Sequence, residues 1–150
     1  MFKVKYGGEI MSDSVMKKLR SRNIKPTPNR LLVAEAVMSA SSPVSLADLE
    51  GILETVDKSS IFRTLNLFLA HHLVHVIDDG TGSLKYEVCT GEEECSVDDM
   101  HVHFFCEKCH KTTCLTSIPI PSVELPEGFV MDSANYIIKG ICRDCSRRQA

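Results

Sequence analysis

The chain has 150 residues, 43% of them hydrophobic and 25% charged, with a formal net charge of −3, a balance that suits a soluble globular protein of one domain or two small ones. No run approaches the ~18 apolar residues of a membrane span and the N-terminus lacks the apolar core of a signal peptide, so neither a membrane partner nor export is expected. Seven cysteines without such a signal point to reduced thiols and bound metal rather than disulfides, and to a cytoplasmic protein.

The net charge conceals an asymmetry. Residues 1–30 carry eight Lys or Arg against two acidic groups, whereas residues 76–150 carry seven basic against thirteen acidic. A basic end on an acidic body fits a DNA-binding module joined to a cation-binding module, although a solvated basic helix face accounts for the charge equally well.

Residues 1–13 are polar and contain glycine, and read as a flexible leader. Ser14–Arg22 then places Val15, Met16 and Leu19 at helical spacing among basic residues. In Lys25-Pro26-Thr27-Pro28-Asn29-Arg30, Thr27 is an N-cap and Pro28 a first helical residue, opening a helix to Ala40 that buries Leu32, Val33, Ala36, Val37 and Ala40. Ser45-x-x-Asp48 is a capping box for a third helix with Leu46, Leu49, Ile52, Leu53 and Val56 inward. Asp57 or Ser59 caps a fourth helix, Ser60 to about His71, with Ile61, Leu65, Phe68 and Leu69 inward and Ser59, Arg63, Thr64 and Asn66 outward. Leu73–Asp79 and Ser83–Cys89 alternate as strands around Asp79-Gly80-Thr81-Gly82, a hairpin signal. Short helices followed by a hairpin make a winged helix-turn-helix over residues 14–90, in which the last helix enters the major groove.

Residues 91–150 form a second module. Cys106-x-x-Cys109 and Cys142-x-x-Cys145 match a closed tetrahedral zinc site, structural because no position is left open for water. Thr112–Thr116 and Asn135–Ile141 read as strands, and Pro119, Pro121 and Pro126 leave room between them only for a short helix or turn.

Four ordered stretches carry a resemblance. Lys25–Arg30, Val44-Ser45-Leu46-Ala47-Asp48-Leu49, Ser60-Ile61-Phe62-Arg63-Thr64-Leu65 and His101-Val102-His103…Cys106-x-x-Cys109 resemble signatures of the ferric uptake regulator superfamily. The resemblance implies an α+β protein: an N-terminal winged helix-turn-helix domain, then a small α/β dimerisation domain with a four-cysteine zinc site. Its implied function is that of a metal-dependent repressor that binds double-stranded operator DNA as a homodimer, without catalysis or any small-molecule substrate beyond the metal ion. By the same resemblance Lys25, Arg30 and Ser59 position the protein on the DNA backbone, while Phe62, Arg63 and Thr64, in a motif opened by Ser60, read the groove.

For a regulatory metal the candidates are His75 and Cys89 from the hairpin and His101 and His103, which share one strand face as i and i+2; Glu87 and Cys114 are alternates. A cysteine at position 89 characterises the zinc uptake regulators of this superfamily. Pro43, Val102 and Cys114 stand where iron-sensing members carry a histidine and acidic residues. Each of these exchanges removes an oxygen or nitrogen ligand or adds sulfur, and together they favour zinc over iron or manganese. A ferrous-iron or peroxide sensor is the nearest alternative. A zinc enzyme is remote, because a nucleobase deaminase needs His-x-Glu and Pro-Cys-x-x-Cys, against His101-Val102-His103 and Phe105-Cys106 here. His71, His72, His110 and Cys95 are expected to hold no ligand role.

Overall fold

A computed structural model describes residues 10–89, 101–131 and 134–148, apart from the side chains of residues 10–12, 101 and 116. The chain runs α1 (Ile10–Ser21), α2 (Pro28–Ser39), β1 (Val44–Ser45), α3 (Leu46–Ile52), α4 (Lys58–Ala70), β2 (Val74–Ile77) and β3 (Lys85–Val88). It continues through β4 (His101–Cys106), β5 (Thr112–Pro119), β6 (Ile137–Gly140) and α5 (Arg143–Arg147). Most of the expected leader and the Cys95 loop lie outside the described residues. The first helix begins at Ile10, four residues earlier than its apolar spacing suggested.

The helix starts follow from local chemistry. Thr27 Oγ1 accepts the Arg30 N–H, with Pro28 opening α2. The Ser45–Asp48 box closes in both directions, at 3.1 and 2.9 Å. Asp57, rather than Ser59, caps α4 through the Ser60 N–H. Helix α4 ends in a Schellman turn, with His72 in the left-handed region and Leu73 N–H returning to the Phe68 carbonyl.

These helices bury one core made of Val15, Leu19, Val33, Val37, Leu49, Leu53, Ile61, Leu65 and Phe68, closed on one side by Leu73, Val74 and Tyr86 of the wing. Two expected orientations are reversed. Ile52 is exposed, because α3 ends there and the chain turns so that Leu53 points inward. Thr64 is buried, since it stands three residues after Ile61 and one before Leu65 on the same face, and its hydroxyl donates to the Ser60 carbonyl at 2.8 Å.

The wing is a three-stranded antiparallel sheet in the order β1-β3-β2, so Val44-Ser45 adds a strand to the expected hairpin. Its strands are shorter than expected and the loop between them longer. Asp78 and Asp79 carboxylates take the N–H groups of Gly80 and Thr81 at 3.0 and 3.1 Å, which draws the chain out of the ladder early. The second sheet has the order β5-β4-β6, with β4 antiparallel to β5 and parallel to β6. Between β5 and β6 only a turn interrupts the extended chain among the described residues.

Candidate metal centres

The four cysteines of the paired motifs meet. Cys106 ends β4, Cys109 follows in a tight turn, and Cys142 and Cys145 frame the start of α5 beyond β6. The parallel β4–β6 pairing brings Gly140 beside Cys106, so the second pair arrives next to the first. His110, in the left-handed region, turns the chain by returning its N–H to the Cys106 carbonyl, and Lys111 accepts from Cys106 N–H.

The four sulfurs lie within 4.8 Å of one another, with Cys109 and Cys142 Sγ 3.9 Å apart. A zinc tetrathiolate with bonds of about 2.3 Å has sulfur–sulfur edges of about 3.8 Å, so the residues fit a zinc ion. The Cys109 and Cys142 N–H groups donate to Cys106 Sγ and hold its thiol down to about 6, ready as a thiolate, while burial pushes Cys145 up to about 12. A cation among these sulfurs resolves that difference by stabilising all four thiolates.

A second set spans the two sheets. His75 on β2 and Glu87 on β3 are direct cross-strand partners, and His103 comes from β4 of the other sheet. Glu87 Oε2 lies 2.8 Å from His75 Nε2 and 3.0 Å from His103 Nε2, and the Cys114 thiol of β5 donates to the other carboxylate oxygen. The three ligand atoms of His75, Glu87 and His103 lie within 4.8 Å of one another. Ligands on a tetrahedral zinc at about 2.0 Å stand about 3.3 Å apart, so the two Glu87–imidazole contacts lie within a few tenths of an ångström of coordinating separations.

Electrostatics fit the same purpose. Burial alone would raise the Glu87 carboxyl, but hydrogen bonds from His103, His75 and Cys114 outweigh it and hold Glu87 well below the usual carboxylate range. The Cys114 thiol is pushed up, first by burial and then by the Glu87 carboxylate that it faces. The centre is thus an ionised carboxylate with donors gathered around it, which is what a cation would replace.

Four expected residues fall differently. Glu87 is the hub rather than an alternate. Cys89 is disulfide-bonded, against the expectation of reduced thiols throughout, and in that form it offers no thiolate. Its sulfur also lies 3.4 Å from His75 Nδ1, whereas Nε2 of that ring faces Glu87, so Cys89 sits behind the histidine and not across the set from it. The His101 side chain lies outside the described residues. Cys114 reaches the set as a neighbour of Glu87 without displacing His103 or His75. Asp79, Lys85 and Thr112, which belong to no local ligand motif, join the two sheets beside this set.

On α4 the expected DNA-facing residues divide. Ser59, Phe62 and Arg63 are exposed, with Phe62 47% accessible despite its apolar ring. Arg63 folds along its own helix toward the Ser59 carbonyl and Ser60 Oγ. Ser60 Oγ donates to Asp57 at 2.6 Å within the cap. Thr64 is buried and its hydroxyl donates to the Ser60 carbonyl, which places it on the inner side of α4 and not on the outer face with Phe62 and Arg63. Lys25 is exposed just before α2, where its carbonyl accepts from Arg30 Nη1 at 2.9 Å. No helix among the described residues is long and apolar enough to cross a membrane.

The model of a family described as the ferric uptake regulator family matches residues 21–126. A transcriptional regulator FurA of Mycobacterium bovis is 26% identical over 135 residues, covering 85% of this chain and 87% of that protein. Among solved structures, a zinc uptake regulator complexed with zinc and DNA superposes with a TM-score of 0.65 at 18% identity, over 95% of this chain and 99% of that one. The ferric uptake regulator of Helicobacter pylori gives a TM-score of 0.59 at 16% identity, over 90% of this chain and 93% of that one. At these identities the structural likenesses speak to the fold.

Proposed function

The chain belongs to the ferric uptake regulator family and is a transcriptional regulator rather than an enzyme, and from that premise we propose that it is a zinc-responsive repressor. It binds palindromic operator DNA as a homodimer when the set around Glu87 holds metal. The observation that carries the reading is the composition and placement of that set: two imidazoles and a carboxylate beside a thiol, drawn from both sheets. Two imidazoles with a single carboxylate are a donor set that zinc takes readily, whereas harder ions seek more oxygen.

When bound, zinc supplies a cross-link between the two sheets. The residues do the rest. His75 and Glu87 fix the wing, and His103 with Cys114 fixes the second sheet, so the orientation of α4 is set relative to the dimerisation domain. The permanent role falls to Cys106, Cys109, Cys142 and Cys145, which tie β4 to the C-terminal helix and hold a structural zinc. Residues 14–90 act as the DNA-binding unit and 91–150 as the dimerisation unit, in the cytoplasm where the DNA lies.

Support for the homodimer comes from the exposed apolar side chains of the second module. Val130 is 91% and Phe129 68% accessible, and Ile118, Val123, Tyr136 and Ile138 are exposed with them. A monomer in water gains nothing from such a surface, whereas a second copy covers it. Support for DNA binding comes from the exposed Ser59, Phe62 and Arg63 on the outer face of α4, and from the likeness to a zinc regulator solved with zinc and DNA. Lys25 and Arg30, at the start of α2, supply phosphate contacts.

One observation favours a second reading. The Glu87 carboxylate at the centre adds an oxygen ligand, which ferrous iron or manganese accepts more readily than a pure nitrogen and sulfur set. Metal analysis of protein purified without chelator separates the two. Zinc beyond the equivalent held by the four cysteines supports the first reading; iron or manganese in that second equivalent overturns it.

A further inference from the structure

The metal set occupies one rung of the contact between the sheets. Residues two apart on a strand share a face, so Lys85 lies beside Glu87 on β3, Phe105 beside His103 on β4 and Thr112 beside Cys114 on β5. The β4–β5 register places His103 opposite Cys114 and Phe105 opposite Thr112. The first rung is therefore Glu87, His103 and Cys114, with His75. The next is Lys85, Phe105 and Thr112, with Asp79.

That second rung closes on itself. Lys85 Nζ donates to Asp79 Oδ2 at 2.6 Å and to Thr112 Oγ1 at 2.9 Å, while Thr112 Oγ1 donates to the same Asp79 oxygen at 3.0 Å. The other Asp79 oxygen takes the Thr81 N–H and hydroxyl. Asp79 is 1% exposed and Thr112 2%, and the Lys85 ammonium lies 5.4 Å from the centroid of the Phe105 ring. At the end of the wing loop, Asn135 Nδ2 donates to the Asp78 carbonyl at 2.7 Å. Slippage between the sheets would strand the buried Thr112 hydroxyl and take one hydrogen-bond partner each from Asp79 and Lys85, and a group left so in low dielectric is costly.

We propose that the Asp79–Lys85–Thr112 triangle is a metal-independent positioning rung. It holds the wing against the second sheet so that His75 and Glu87 face His103 before metal arrives. Thr112 is the positioning residue contributed by the second sheet. Metal affinity then scales with the fraction of molecules in which the sheets are docked. The rung itself is independent of which metal the set takes; only its effect on metal affinity rests on the regulatory reading above.

Thr112→Val removes the hydroxyl at nearly constant volume and leaves the Asp79–Lys85 pair within the wing, whereas Thr112→Ser keeps the hydroxyl. The first readout uses full-length protein holding zinc only at the four cysteines. Alkylation of Cys114, whose thiol is shielded between the sheets against Glu87, is followed by peptide mass spectrometry with iodoacetamide. Loss of one buried hydrogen bond predicts labelling about fivefold faster in Thr112→Val, with Thr112→Ser close to wild type. Wild-type labelling in Thr112→Val, or equally fast labelling in Thr112→Ser, overturns the rung. Should Thr112→Val fail to fold by circular dichroism, Lys85→Gln breaks the triangle from the wing side and is read in the same way. The second readout is competition for Zn2+ against a chromophoric chelator, in which the regulatory-zinc affinity of Thr112→Val falls by the same factor as its docked fraction and that of Thr112→Ser does not. A loss of zinc affinity that does not match the loss of docked fraction, taken from each protein's labelling rate relative to that of its urea-unfolded chain, overturns the linkage. A wild type that takes up no second zinc defeats the regulatory-zinc reading instead, and the labelling still decides the rung.

Discussion

Replacing Glu87 by glutamine removes the charge at the hub of the regulatory set while keeping its shape. The carboxylate faces His75 Nε2 at 2.8 Å and His103 Nε2 at 3.0 Å and takes the Cys114 thiol on its other oxygen. Removing groups that only support metal ligands lowers affinity by about 10–100-fold. Glu87 is assigned as a ligand itself, so its loss belongs at or beyond the upper end, about 100-fold or about 2.7 kcal/mol. The assay is competition for Zn2+ against a chromophoric chelator, with the four-cysteine site already filled. Circular dichroism checks that Glu87→Gln, on a four-residue strand at the edge of the core, still folds. Cys89→Ser is the comparison: its disulfide-bonded sulfur meets His75 Nδ1 from behind, so it supports a ligand without binding metal, and its exchange should cost no more than about 10-fold, the lower end for supporting groups. Wild-type zinc affinity in Glu87→Gln, or a 100-fold loss in Cys89→Ser, would refute the reasoning and return Cys89 to the ligand set.

Cys106→Ser should release the structural zinc and unfold the second sheet, because Cys106 ends β4 and both other strands of that sheet pair with it; a zinc-replete, cooperatively folded variant by metal analysis and thermal melting contradicts this. Arg63→Ala should weaken operator binding by about 1–3 kcal/mol and random-sequence binding by less, read by fluorescence anisotropy; equal losses on both DNAs would make Arg63 a backbone contact. Asp79→Asn addresses the buried pair. Burial opposes ionisation there, yet hydrogen bonds from Lys85, Thr81 and Thr112 hold the carboxyl at about 2, below its ordinary 3.8. A depressed carboxylate stabilises the fold above its unfolded value and loses that contribution as pH falls through its folded one. The variant should therefore be about 2 kcal/mol less stable in urea at pH 7, by the same amount at pH 5; equal stability of the two proteins would show the pair to be idle.

What the sequence revealed tracks the range of the interactions. The caps at Thr27, Ser45 and Asp57 act within three residues, so helix starts were readable directly. The four-cysteine site was readable because each pair is local and the chemistry of four thiolates admits few alternatives. Strand β1 was not, since two residues carry no periodicity and their partners Lys85 and Tyr86 stand far along the chain. Thr64 was misplaced on its polarity, although its spacing from Ile61, Leu65 and Phe68 already put it on the apolar face. Glu87 and Cys89 share a strand face, so alternation could not choose between them; the direction of the His75 ring does. Asp79, in a turn signal, read only as a turn residue. Its partner Thr112 lies 33 residues away, and no local pattern announces such a pairing.

The central claim is that occupancy of the His75–Glu87–His103 set and operator binding stabilise one another. It is tested most directly by titrating the dimer onto operator DNA in zinc-buffered solution, with the four-cysteine site filled throughout. Operator affinity should be about 5–150-fold higher when the second site is occupied, with operator DNA tightening zinc binding by the same factor. Identical operator affinity at zinc levels that fill and empty the second site would contradict it.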